Sequence, residues 1–322
     1  MSNPAGRLAL VQPAVPVRLD GAMLVESWSN DTWLTDRAVL RVCWRGDRSR
    51  LLREEALLDS LPDTIPHAEV LGAGETCELT WLALRRIPGR RLDLEWPGLD
   101  GGQRRAALTR LGGMLSALHQ WTPPAGLAST LARAALGDCH SYADVGGSAV
   151  VPLPVKRLAP LLDWMELLPG MDPKLARRVR ARLDELAPAI EDSELTDGVV
   201  VHSDAHLANV LWHRGRLTAL LDFEWARIGP PDLELEAFCR DDPVIGTGTR
   251  HESCYAAEVP MLTGLKAGYP DLFAHPDLTE RLWLYELAFA VRQFSAPGIT
   301  VASPAQLDRL EVLAWRPRVR FR

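Results

Sequence analysis

The stretch that most constrains this chain is VVVHSDAHLANVLWHRGRLTALLDFEW, residues 199–225. A short β-branched run at 199–201 leads into a polar, turn-forming segment at 202–209. An apolar run at 210–213 follows, Arg214-Gly215 supplies a turn, and 217–221 resumes as a second strand. With Arg214-Gly215 as the turn, 213 pairs with 216 and 211 with 218, so Asn209 falls opposite Leu220. Side chains alternate faces with period two, so Leu220 and Asp222 point the same way and Asn209 shares their face. Diagonal neighbours of this kind lie roughly 7–8 Å apart at the backbone, close enough to share one small ligand. Asp204, just upstream in the loop, can face the same volume. Taken singly, each of these residues reads as a turn or a helix cap. Three of them ordered around one hairpin read as a site.

The chemistry they suit is that of a hard cation. Mg²⁺ is held by one or two carboxylates plus nucleotide phosphates, and Asp222 and Asn209 are oxygen donors of that kind. A carboxylate beside the metal but not bound to it, Asp204, can orient a hydroxyl and accept its proton. The order His202-x-Asp204-x4-Asn209, then Asp222 in an Asp-Phe pair, matches a kinase catalytic loop and its metal-binding Asp. His202 and His206 are four apart, but in a loop and without the glutamate of a zincin, so neither is read as a metal ligand.

Composition excludes more than it identifies. The 322 residues are enough for two lobes, and 47% hydrophobic with 24% charged content is ordinary for a globular fold. A net charge of −6 argues against nucleic acid as the main partner and permits a cationic ligand. Cys43, Cys77, Cys139, Cys239 and Cys254 are scattered and form no CxxC, which fits a reducing cytoplasm and no structural zinc. The N-terminal run LALVQPAVPV is broken by prolines, and no later stretch reaches the roughly 18 apolar residues of a membrane span. The expectation is a cytoplasmic protein with neither a membrane nor a nucleic-acid partner.

Along the chain, residues 1–20 read as a Pro-rich extended lead-in, and 23–28, 32–35 and 38–44 as short strands. Between the first two strands, Ser29-Asn30-Asp31 is a small-residue turn that could lay backbone N–H groups over a phosphate. Arg41 interrupts an apolar strand, where a charge needs a partner. Glu54, on a helix over 49–61, is the candidate, and the pair would aim the guanidinium at nucleotide phosphates. Strands at 69–74 and 79–85 follow, then Ile87-Pro88-Gly89 breaks the pattern and frees backbone groups, as an adenine-binding hinge or an ordinary linker would. From there the period lengthens to about 3.6, giving helices over 102–120, 129–137, 156–168, 173–191 and 279–294. The basic run at 177–182 reads as a solvated helix face, and the tail WRPRVRFR as a loose basic end. Acidic residues at 232–242, together with Glu224, could line a site for an amine-bearing acceptor; Glu224 and Glu234 are the candidates.

Strands, an Arg/Glu pair, a hinge, helices and then the hairpin: this order resembles the aminoglycoside phosphotransferase and choline kinase-like family over about residues 22–295. The segments that carry it are SNDTW (29–33), LRV (40–42), REE (53–55), IPG (87–89), HSDAHLAN (202–209) and LDFE (221–224). The resemblance implies an α+β, two-lobed protein-kinase-like fold. Residues 1–88 would form a small β-rich N-lobe, a nucleotide-binding sheet plus one helix. Residues 89–322 would form a larger, mainly helical C-lobe with the catalytic loop and metal-binding hairpin. It further implies Asp204 as catalytic base, Asn209 and Asp222 as Mg²⁺ ligands, and Arg41 on the phosphates with Glu54 as its partner. The backbone of Arg85 and Ile87 would meet the adenine, His202 would fix the loop, and Asp232 would brace it from below. Two departures stand out. The strand cation is Arg41 where many kinases use Lys, and no GxGxxG or APE is present, so the phosphate loop must rely on Ser29 and Asn30.

The expected function is Mg²⁺-dependent transfer of the γ-phosphate of ATP, or of GTP, to a small-molecule hydroxyl. The acceptor would be of the aminoglycoside, amino-alcohol or other natural-product type. Two rivals stand beside it: a kinase for Ser/Thr hydroxyls of a peptide or protein, and a nucleotide-binding pseudokinase scaffold.

Overall fold

The structure is a computed structural model and describes residues 3–25, 27, 29–136, 150–239, 261–296 and 298–315. Its N-terminal part is built on an antiparallel five-stranded sheet in the order β1-β2-β3-β5-β4. These strands are β1 (Met23–Val25), β2 (Asp31–Leu34), β3 (Ala38–Cys43), β4 (Val70–Thr76) and β5 (Leu79–Arg85). Both faces of the central strands are covered. On the inner face, Leu51, Leu57 and Leu58 of a helix over Arg50–Leu58 join the main core with Leu82 and Leu84. On the outer face, Trp33, Leu40, Val42, Leu79, Trp81 and Ala83 form a second core.

That second core overturns the expected extended lead-in. Pro4–Val11 is a helix, α1, and Val11, Val15 and Leu19 close over the outer face of the sheet. Asn3 caps it by accepting a 2.9 Å hydrogen bond from the Gly6 N–H, and Pro4 sits in the first turn, where its missing N–H costs nothing. Prolines that looked like breaks instead mark a helix start and the turn after it. The helix Arg50–Leu58 is α2.

Past residue 89 the chain is mainly helical. A short strand β6 (Arg90–Arg91) lies beside the hairpin of β8 (Val210–His213) and β9 (Arg216–Leu220), while β7 (Val199–Val201) pairs with β10 (Arg227–Gly229). The short helix α3 (Leu92–Glu95) precedes the long α4 (Gly101–Gln120), which starts with a capping box from Asp100 and Gln103. Leu108, Leu111, Leu115 and Leu118 of α4 are all fully buried, as their spacing predicts. Further helices run over Ala125–Leu136, Ala159–Glu166, Pro173–Leu186, Met261–Gly268, Leu278–Arg292 and Pro304–Trp315. The basic run at 177–182 is only partly a solvated face: Arg180 pairs with Asp163 and Glu166, but Arg182 is buried and bonded to Glu185.

Cys43, Cys77 and Cys239 are free thiols. Cys139, Cys254, Gly137, Trp28, the acidic residues Asp241 and Asp242, and the basic tail 316–322 lie outside the described residues. Among the described residues, no helix is long and apolar enough to cross a membrane.

Candidate active site

Strand β7 delivers the chain into the loop 202–209, and that loop is held from several sides. Glu234 accepts hydrogen bonds from the backbone N–H of His202 and, at 3.1 Å, from that of Ser203. Its other near neighbour is the His119 ring at 3.4 Å, at the end of α4. His202 is itself fully buried; its Nε2 donates to the Leu221 carbonyl at 2.9 Å, and its ring packs on Phe223. The histidine therefore ties the loop to the segment carrying Asp222.

Asn209 closes the loop. Its Nδ2 donates to the Asp204 carbonyl at 2.9 Å and to Asp204 Oδ2 at 3.2 Å. The Asn209 carbonyl accepts from Leu221 N–H at 2.8 Å, so the register differs from the expected one. His213 does pair with Arg216, but Leu211 lies opposite Ala219 and Val210 opposite Leu220. A bulge at Thr218 takes up one residue of β9, as bulges do next to functional sites. Asn209 thus meets Leu221, and Asp222 is turned by a left-handed backbone (φ 68°) rather than by strand alternation.

Asp222 meets the N-terminal sheet through Arg41. Arg41 Nη2 lies 2.5 Å from Asp222 Oδ1, its Nη1 lies 2.5 Å from Glu54 Oε2, and Glu224 Oε2 is 3.1 Å away. Glu54 also accepts from the Phe223 N–H at 3.0 Å, so α2, β3 and the Asp222 segment share one network. Glu54, Asp222 and Glu224 face two guanidinium groups, Arg41 and Arg50, in low-dielectric surroundings. Burial pushes Glu54 up to about 8; Arg41 pulls it back, and Asp222 and Glu224 push it further up. Burial likewise raises Asp222 against the pull of Arg41, with Glu224 and Asp204 adding to the rise. Burial works on Glu224 too, but Arg41, Arg50, Ser29 and Asn30 together hold it below the usual range. The carboxylates are in excess, and a cation entering here would relieve that.

Asn209 and Asp222 fit a hard cation. Asn209 Oδ1 and Asp222 Oδ2 accept no hydrogen bond among the described residues, and the Asp222 side chain is 32% exposed. No group of three His, Cys, Asp or Glu forms a ready-made cage among the described residues. Two protein oxygens completed by phosphate and water is the usual pattern for Mg²⁺.

Several expectations need correction. Glu224 and Glu234 do not line an acceptor site: both side chains are fully buried, Glu224 under Ser29, Asn30, Arg41 and Arg50, and Glu234 under the loop. The brace beneath the loop is Glu234 and not Asp232, whose carboxylate instead binds Arg281 at 2.8 and 3.0 Å and the Tyr285 hydroxyl at 2.9 Å. Ser29 Oγ and Asn30 Nδ2 are turned inward onto Glu224, at 2.5 and 2.8 Å, so the turn has its backbone to offer and not its side chains. The Arg85 N–H is committed to the Glu69 carbonyl at 2.8 Å, whereas Ile87 makes no backbone hydrogen bond among the described residues.

Arg50 escaped the sequence reading. It is 2% exposed and reaches Glu224 Oε2 at 2.7 Å, the Ser29 carbonyl at 2.8 Å and Asn30 Oδ1 at 3.1 Å. Its other bonds go to the carbonyls of Arg45 and Asp47, each at 3.0 Å. A signal existed: Arg50 is one helical turn before Glu54 and shares its face of α2.

Curated protein sequences yield no match. Among solved structures, the chain is similar to the streptomycin–ATP ternary complex of APH(2'')-IIa, with TM-score 0.63 and 16% identity over 98% of each chain. It is similar to a thermostable mutant of aminoglycoside phosphotransferase APH(4)-Ia in its apo form, with TM-score 0.57 and 20% identity over 91% of this chain and 93% of that one. Spectinomycin phosphotransferase APH(9)-Ia, in complex with ADP and spectinomycin, matches with TM-score 0.55 and 14% identity over 91% of this chain and 87% of that one. These likenesses are of fold, the small antiparallel sheet followed by a helical region that the resemblance implies. Residues 22–252 match the family model APH, and the chain belongs to the phosphotransferase enzyme family.

Proposed function

We propose that this protein transfers the γ-phosphate of ATP, or of GTP, to a hydroxyl of a small molecule of the aminoglycoside, amino-alcohol or other natural-product type. The observation that carries the reading is the junction at Asn209. Its amide grips Asp204 at 3.2 Å while its carbonyl accepts from the N–H of the residue next to Asp222, which supports reading the three as one site. Asp204 orients the acceptor hydroxyl and takes its proton as the new O–P bond forms. Arg41, held by Glu54 at one end of its fork and by Asp222 at the other, would place a positive charge beside the phosphates. Mg²⁺ held by Asn209 Oδ1 and Asp222 Oδ2 would supply charge neutralisation on the phosphate oxygens. His202 and Glu234 keep the loop in register, so positioning and electrostatics carry the rate. The nucleotide would lie between an N-lobe of residues 1–88 and a C-lobe of 89–322, with the Ile87 backbone, which makes no backbone hydrogen bond among the described residues, at the base.

A small-molecule acceptor is favoured over a peptide because the solved proteins of similar fold are described as complexes with streptomycin and with spectinomycin. The test is incubation with Mg²⁺ and ATP or GTP against amino-alcohols, aminoglycosides, macrolides and nucleosides, followed by mass spectrometry. A product heavier by one phosphoryl group supports the reading. Nucleotide binding with no turnover on any acceptor, peptides included, would favour the scaffold instead.

A further inference from the structure

We infer that Arg7, on α1, is a positioning residue for the turn Ser29-Asn30-Asp31 and so for nucleotide affinity, which rests on the phosphotransferase reading. Residues 3–21 precede the part of the chain that the family model matches, which begins at residue 22. Yet α1 and the turn after it are integral to the sheet, with Val11, Val15 and Leu19 nearly or fully buried against it. From this helix Arg7 reaches Asp31 with two hydrogen bonds, Nε to Oδ2 at 2.6 Å and Nη2 to Oδ1 at 2.9 Å. Both residues are buried, and the guanidinium lies 4.3 Å from the ring of Trp44, just past β3.

The contact is directional. Asp31 is the last residue of the turn and the first of β2, and β2 is the neighbour of the strand carrying Arg41, with Thr32 opposite Arg41. Inside the sheet, Arg50 and Glu224 fasten Ser29 and Asn30. Outside it, Arg7 fastens Asp31. With every side chain of the turn tied down, its conformation is set from both faces, and its backbone N–H groups are the part that can meet phosphate. Losing Arg7 leaves a buried carboxylate without its two-point partner, so Asp31 must move towards water, and that movement shifts the turn.

The experiment compares R7M, R7K and V11A with the parent protein in steady-state kinetics, with ADP affinity measured by calorimetry. V11A weakens the same outer core without touching the turn. Positioning predicts that R7M raises the nucleotide KM and the ADP Kd about tenfold with kcat little changed. R7K, which keeps the charge but not the fork, should fall between. V11A should lower the melting temperature alone. If R7M and V11A destabilise the protein alike and neither moves nucleotide affinity, the inference is wrong. Should R7M prove insoluble, unchanged affinity in R7K overturns it equally. A parent protein that binds ADP but phosphorylates nothing would count against the phosphotransferase reading, while the ADP affinities still judge Arg7.

Discussion

Asp204 and Glu224 show how differently two carboxylates of one site can be used. Asp204 sits on a loop whose backbone is held by Glu234 and His202, and it meets Asn209 there. D204A should therefore lower turnover by about 10²–10⁴-fold while ADP affinity survives, as single-turnover kinetics and calorimetry would read. Full activity in that variant would end the mechanism. Glu224 instead joins Ser29, Asn30, Arg41 and Arg50. E224Q should cost about 3 kcal/mol of stability by leaving buried guanidinium groups short of charge. It should weaken nucleotide binding while leaving the acceptor KM unchanged; an acceptor KM that alone rises would return Glu224 to the acceptor site.

At the scale of elements, one close helix approach and one buried charge stand out. The helix Met261–Gly268 crosses α4 so tightly that a Cβ at Gly268 would lie 1.9 Å from the Thr109 carbonyl oxygen. G268A should destabilise by about 1–3 kcal/mol or more, measured by denaturant unfolding, because backbone and not a flexible side chain stands in the way. Strand β10 presents the opposite case. Arg227 is 2% exposed, and all three of its guanidinium nitrogens are without a hydrogen-bond partner among the described residues. Burial, helped by Arg157 and opposed by Tyr285 and Glu234, lowers its pKa to about 10. R227M keeps the bulk and removes a buried charge that makes no hydrogen bond among the described residues, so it should be neutral or stabilising. A marked loss of stability would mean that the guanidinium has a partner in solution.

Across the whole molecule, Arg281 links segments far apart in sequence, binding Glu194 at 2.7 Å before β7 and Asp232 after β10. Partial burial raises the Glu194 pKa, but hydrogen bonds from Arg281 and from the Glu191 backbone outweigh it and hold the group below its ordinary 4.5. A depressed carboxylate stabilises the fold above its unfolded pKa, and that contribution disappears as pH falls through the folded value. The melting-temperature gap between the parent and E194Q should hold steady above pH 4.5 and close below it. A gap that persists in acid would place the stabilisation elsewhere.

What the chain's own order of residues determines here is local. The spacing of Asp204, Asn209 and Asp222 about the Arg214-Gly215 turn, the Leu spacing of α4 and the Arg41–Glu54 pair are all legible in it. They depend on strand alternation, helical period and the cost of a lone charge in an apolar strand. The rest waits on contacts between distant segments. A bulge at Thr218, a residue with nothing to mark it, moved the hairpin register by one. Prolines hid α1 because its burial depends on a sheet formed later in the chain. Above all, acidic residues near the site look alike in sequence, and only packing separates the partly exposed Asp222 from the sealed Glu224 and Glu234. Asn30 and Glu224 are 194 residues apart. Whether a carboxylate meets water or a guanidinium is decided when such distant segments close on each other, and no local pattern encodes that.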